Sequence, residues 1–227
     1  MLKQKIFDLL KSPDFEKNLD SLGKIPIHRV LHPLFSALCS EDEEIKWHAV
    51  FVMGMLVATL AEKDMEGARN ILRRMMWSLN EESGSSGWGM PEAMGEILVR
   101  HENLAQEFAP ILISYIRQDG NFLEFELLQR GVLWGIGRLA EVQPQLMQSL
   151  RAEQYLLPYL DSRDSSVRGL AAWVLGSIGG EESIPPLASL LQDEAEVKLY
   201  KNQKFKIARV HELASEALAL IKRRRCT

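Results

Sequence analysis

The sequence has little of what most active centres are made from. It holds two cysteines, Cys39 and Cys226, and five histidines in 227 residues. Two thiols that far apart build neither a disulfide framework nor a thiolate metal cage, and they read as reduced cysteines. His28 and His32 stand one helical turn apart, but His32 precedes Pro33, which biases it away from helix, and no third ligand accompanies them. No stretch alternates apolar and polar residues long enough to read as a strand, so no glycine-rich phosphate loop can follow one. Nor does any Ser–His–Asp or Cys–His spacing suggest an activated nucleophile. No metal and no cofactor are expected. Long apolar runs are missing as well. The most apolar stretch, "HAVFVMGMLVATLA" from His48 to Ala61, is shorter than the roughly 20 residues a spanning helix needs and reads as a buried helix. The first residues, "MLKQKIFDLLKSPDFEK", have no long apolar core and no small-residue cleavage site, so they do not form a secretory signal. A cytoplasmic protein without membrane contact is expected.

What is present is the composition of an ordinary soluble domain, 46% hydrophobic and 26% charged. A chain of this length buries roughly 70% of its unfolded surface and needs no staples. The net charge of −4 is unevenly spread: Lys198 to Thr227 carries +7, which leaves −11 on the first 197 residues. So acidic a body disfavours contact with nucleic-acid phosphates. The basic end contains a candidate anion contact at Lys201, Lys204, Lys206 and Arg209. Its segment "KLYKNQKFKIAR", Lys198 to Arg209, reads either as an extended insertion in the last repeat or as part of a longer last helix.

A repeat organises the rest. In "DSSVRGLAAWVLGSIGG", Val167, Ala171, Val174, Leu175 and Ile178 form one helical stripe, and Gly176 sits inside it. A mid-helix glycine costs about 1 kcal/mol against alanine, which makes sense where another backbone comes close. With Gly176 as marker, Gly54, Gly95, Gly137 and Ala219 fall at spacings of 41, 42, 39 and 43 residues along the chain. The stripe recurs at Ile45, Ala49, Met53 and Leu56; at Met90, Met94 and Ile97; at Leu128, Val132, Ile136 and Leu139; and at Val210, Ala214, Leu218 and Ile221. Another helical stretch precedes each marked helix. The chain therefore reads as one all-α domain over 1–227, with helix pairs at about 27–60, 65–101, 104–142, 152–180 and 183–222 and a cap helix over 1–20. Single pairs cannot cover their own apolar faces, so neighbours must stack.

The motif "DSSVRGLAAWVLGSIG", Asp164 to Gly179, resembles the HEAT repeat, in particular the HEAT-like repeats of phycobilisome lyases. That resemblance implies a right-handed α-solenoid of armadillo type whose second helices line a concave groove. Seven residues before each marker stand Trp47, Trp88, Arg130, Gly169 and Glu212; three before stand Phe51, Glu92, Trp134, Trp173 and Glu216. At 100° per residue these rows lie off the core stripe. Four of the five tryptophans fall on them, and only Trp77 does not. Either the rings fill space between repeats, or Trp47, Phe51, Trp88, Glu92, Arg130, Trp134 and Trp173 line a binding groove. Aromatics with a few charges are a common composition for such sites, and a non-enzymatic scaffold that grips a protein or peptide partner is the expected function.

A second resemblance is patchier. Trp88 followed by Glu92, Arg130 within "LLQRG" and Trp173 within "AAWVL" are similar to motifs of HEAT-like alkylpurine DNA glycosylases, with glutamate where that family carries aspartate. It implies Glu92 as a carboxylate that stabilises charge on a sugar, and Arg130 as a DNA-backbone contact. The lyase likeness implies, more distantly, a chromophore-handling accessory protein.

Overall fold

The computed structural model describes residues 2–80 and 87–225. Cys226, the Ser85–Ser86 start of the loop before Trp88 and the end of the "KRRRCT" tail lie outside the described residues. The chain divides into two compact units, Met1–Ala105 and Gln106–Thr227.

The first unit contains α1 (Leu2–Leu10), α2 (Phe15–Gly23), α3 (Ile27–Leu38), α4 (Glu43–Ala61), α5 (Met65–Leu79) and α6 (Met90–Arg100). The cap expected as one helix over 1–20 is two helices. Pro13 lacks the amide a continuing helix would need and disfavours helix at Ser12, so the chain turns there. Pro33, by contrast, lies inside α3, which keeps His32 helical; His28 and His32 are both exposed on it. Helix α4 begins at Asp42, whose carboxylate accepts from the amides of Glu44 and Ile45 at 3.1 and 3.4 Å and so satisfies helix-end donors. It buries residues around most of its circumference, as a helix packed on α3, α5 and α6 must. By length and composition α4 could cross a membrane, which the shorter run His48–Ala61 could not; 61% of its most apolar window is buried within the protein. The His48 ring stacks on Phe15 with centroids 3.8 Å apart and pairs through Nδ1 with Leu10 O at 2.6 Å, which ties the two cap helices to α4.

The second unit contains α7 (Glu102–Ser114), which carries the chain across from the first, then α8 (Glu126–Val142), α9 (Pro144–Ser149), α10 (Ala152–Leu156), α11 (Ser165–Ile178), α12 (Ile184–Ser189), β1 (Glu196–Lys201), β2 (Lys204–Arg209) and α13 (Val210–Arg225). The glycine markers sit at close approaches between helices. A Cβ on Gly54 of α4 would meet Glu96 of α6, one on Gly137 of α8 would meet Trp173 of α11, and one on Gly176 of α11 would meet Ala217 of α13. In α13 the facing residue is thus Ala217; Ala219, the expected marker, is exposed and Leu218 only half-buried. The buried stripe there is Val210, Leu213, Ala214, Ala217 and Ile221, so the last repeat is set two residues out of the register read from the sequence. Its pre-helix insertion shifts the count.

That insertion, Lys198 to Arg209, is neither loop nor helix but most of an antiparallel hairpin, with Glu196 opposite Arg209 and Lys201 opposite Lys204. Asn202 and Gln203 both have positive φ, 52° and 58°. Two such residues make the turn whose twist matches paired strands. The expectation of no strands is corrected here. The usual Asn-Gly signal is blurred by glutamine, and β2 exposes five of its six residues, so little alternation reaches the sequence.

Gly137→Ala is the sharpest test of the marker logic. Alanine is the better helix former, yet its Cβ would stand 2.7 Å from Trp173 Cε3. A net loss of about 2 kcal/mol is expected by urea melting; a gain would contradict the close approach.

Candidate functional site

In the first unit the candidate residues gather where α4 meets α6. Gly89 caps α6 with φ 72°, a conformation glycine adopts readily, and a Cβ there would run into the backbone of Leu38 of α3. Pro91 follows in the first turn, where a missing amide costs nothing. This entry fixes Trp88, which is half-buried, with its carbonyl 3.7 Å from the Cys39 thiol. Burial pushes that thiol above its usual range, against the opposing charge of Lys46. Trp88 Nε1 has no hydrogen-bond partner among the described residues. Glu92 is not open to a ligand: its side chain is 6% exposed and its Oε1 stands 2.7 Å from Lys46 Nζ. Glu96, equally buried, pairs with Arg100 at 2.7 Å. Lys46 also lies over the ring of Trp47, and Arg100 over that of Phe51, 5.1 and 4.4 Å from their centroids. Trp47 is buried and Phe51 half-buried.

In the second unit the expected row is covered by the chain's own hairpin. Trp134 donates from Nε1 to Tyr200 O of β1 at 2.8 Å. Trp173 donates from Nε1 to Glu141 at 3.3 Å, and the same carboxylate takes Lys201 of β1 at 2.6 Å. Gly169 leaves room for Val197, which a Cβ would meet at 2.6 Å. Trp134 and Trp173 are both buried. The row off the core stripe was visible in the sequence; the hairpin that occupies it was not. The tryptophan that the row left out, Trp77 on α5, is 73% exposed.

Arg130 grips Asp164, the N-cap of α11, through Nε at 3.1 Å to each carboxylate oxygen. Asp164 also accepts from the Val167 amide at 3.0 Å. Burial works to raise the Asp164 carboxyl, but the Arg130 hydrogen bond, the Val167 amide, the Arg130 charge and the Ser166 amide together hold it below the usual range. A carboxyl depressed by folding stabilises the fold above its ordinary pKa of about 3.9 and loses that contribution as pH falls through the lower folded value. Asp164→Ala should cost about 2 kcal/mol in thermal melts, since cap and ion pair both go. Asp164→Asn keeps a capping oxygen, should cost less than half as much, and should flatten the stability loss seen below about pH 4.

Of the four candidate anion contacts, Lys201 is taken by Glu141 and Arg209 by Glu194. Lys204 and Lys206 are exposed on β2 and form no ion pair among the described residues. No group of three or more His, Cys, Asp and Glu among the described residues is placed to hold a metal.

The second unit also holds a cavity of about 500 Å³ between the α7–α8 connection, α8 and α10 with the turn after it. No pattern in the sequence pointed to it, because its walls come from residues off both the core stripe and the aromatic rows. Tyr159 lines it but donates its hydroxyl to Ile116 O at 2.9 Å, and burial pushes that phenol up to about 12.

The family of HEAT repeats matches residues 109–199. An engineered protein solved by a structural-genomics consortium aligns over 98% of this chain and 97% of its own, with TM-score 0.55 and 17% identity. The fold is an α-solenoid of stacked helical repeats, and residues 109–199 within it are similar to HEAT repeats. The solenoid also aligns with a designed armadillo repeat protein in complex with the peptide (KR)4, over 96% of this chain and 98% of that one, with TM-score 0.53 and 18% identity. A computationally designed armadillo repeat protein for modular peptide recognition aligns over 97% and 100%, with TM-score 0.52 and 19% identity. In sequence, the solenoid is 26% identical over 187 residues to an uncharacterized protein of Archaeoglobus fulgidus, covering 81% of this chain and 92% of that protein.

Proposed function

We propose that this solenoid is a non-enzymatic module that binds a protein or peptide partner. The observation that carries the reading is its fold, which aligns along 96% of its length with a designed armadillo repeat protein in complex with a peptide. Repeat stacks offer extended surface for such partners. The internal state of the candidate residues points the same way: Glu92, the one candidate catalytic acid, is engaged by Lys46 at 2.7 Å. Of the aromatic row, Trp88 is half-buried, and its Nε1, itself buried, has no acceptor among the described residues, so the part open to a partner is the exposed part of the ring. It is the contact assigned to the partner in the first unit. Lys204 and Lys206 are assigned to an acidic stretch of the partner, since neither is neutralised within the described chain.

The test is a selection of displayed random peptides on the purified chain, followed by calorimetry on the enriched sequences. Micromolar binding is expected, about 8 kcal/mol. Trp88→Ala should weaken it at least tenfold with an unchanged melting temperature. Lys204→Glu with Lys206→Glu should weaken it mainly at low salt, where exposed charges are least screened. Repeated selection without enrichment, or equal binding by the variants, would contradict the reading.

A further inference from the structure

The cavity of the second unit has the size of a ligand site, about 500 Å³ against the 300–1,000 Å³ typical of such pockets. Ile116, Phe122, Tyr155 and Pro158 give it apolar and aromatic walls. Its only charged lining groups, Arg117 and Asp119, neutralise each other through two hydrogen bonds of 3.1 and 2.8 Å. Arg117 also lies over the Tyr155 ring, 4.7 Å from its centroid. A charged ligand would therefore find no net counter-charge and would lose its hydration, whereas a neutral ring would lose little.

One polar group in the wall is set apart. Gln129 of α8 is 7% exposed, and its amide nitrogen is committed to Leu123 O at 2.7 Å. That bond fixes which end of the amide is the acceptor. Its Oε1 has no hydrogen-bond partner among the described residues. The residue is buried in the wall, but Oε1 is not itself among the buried unpartnered atoms, so it is an acceptor that a ligand can reach. What fits is an apolar planar group with a single donor at its edge.

We propose that this cavity seats a neutral aromatic side chain with a hydrogen-bond donor, tryptophan or tyrosine, from a peptide partner, and that Gln129 Oε1 accepts from the indole N–H or phenol O–H. The assignment rests on the peptide-binding reading above. A volume of 500 Å³ exceeds one ring and leaves room for the flanking backbone. A site built to bond a donor discriminates strongly against the analogue that lacks it, because its own polar group is then left unpaired.

Two arms test the seat and its source separately. In the first, indole, p-cresol, toluene, benzoate and benzamidine are titrated into the isotopically labelled chain, and the Gln129 side-chain amide is followed by NMR. Indole and p-cresol should shift it saturably, with toluene, benzoate and benzamidine at least tenfold weaker. Gln154 is exposed on the rim, so Gln154→Trp should fill the cavity without removing a buried contact and should abolish the response; Tyr155→Ala, checked by melting, should weaken it. Toluene or a charged ring binding as well as indole, or no effect of Gln154→Trp, would overturn the seat. In the second arm the selected peptides should carry a tryptophan or tyrosine whose change to phenylalanine weakens binding about tenfold. Peptides that bind without such a residue and ignore Gln154→Trp overturn the seat and leave the peptide reading standing. Failure to select any peptide, with indole still bound at Gln129, overturns the peptide source and supports the ring chemistry alone.

Discussion

Replacing Lys46 by alanine is expected to lower the free energy of unfolding by about 3 kcal/mol, the scale for stranding one member of a buried ion pair. The reason is Glu92. Its side chain is 6% exposed and stands 2.7 Å from Lys46 Nζ, so the lysine is its ion-pair partner in a place largely closed to water. Losing the lysine also removes a cation lying over the Trp47 ring, worth a further fraction of a kcal/mol. The signature is not the single variant but the pair. Lys46→Met with Glu92→Leu removes both charges and restores apolar volume, so it should recover most of the loss. Urea unfolding of the three variants checks this. A double variant as unstable as the single one would mean that the carboxylate has a role beyond this ion pair.

Trp173→Ala is expected to cost about 4 kcal/mol, as truncation of a buried tryptophan does. Trp173 fills the notch that Gly137 leaves in α8. It also bonds Glu141, the carboxylate that holds Lys201 of the hairpin. The coupling should be plain in a double-mutant cycle. Gly137→Ala costs about 2 kcal/mol in the native background but should become neutral or stabilising once the ring is gone, because only the helix preference of alanine then remains. Additive losses in urea melts would show that ring and glycine do not meet.

The repeat was legible because its cause is local. An apolar stripe with a glycine inside it is written into α4, α6, α8 and α11, and the glycines at 54, 137 and 176 do lie where helices touch. The aromatic rows were legible too, as positions. Their meaning was not. Trp134 and Trp173 lie off the core stripe, which the sequence states, but they are covered by β1, whose Tyr200 is 66 residues beyond Trp134. Periodicity along one helix cannot announce a cover delivered from elsewhere in the chain. The hairpin itself escaped because Asn202 and Gln203 take a turn usually signalled by glycine. Glu92 shows the same limit: a carboxylate four residues from a tryptophan reads as chemistry until Lys46, from another helix, is placed against it. The cavity around Gln129 was invisible for a related reason. Its open acceptor exists because Leu123 O takes the other end of the amide, a contact across a turn that no spacing rule anticipates.

The central claim, that this α-solenoid grips a peptide and does nothing to it, is tested most directly by isothermal calorimetry with a peptide enriched by selection, paired with mass spectrometry of that peptide after prolonged incubation. One-to-one binding at micromolar affinity, weakened by Trp88→Ala and by Gln154→Trp, with the peptide recovered unchanged, is the predicted result. No heat of binding from any enriched peptide, or a peptide recovered cleaved or modified, would contradict it.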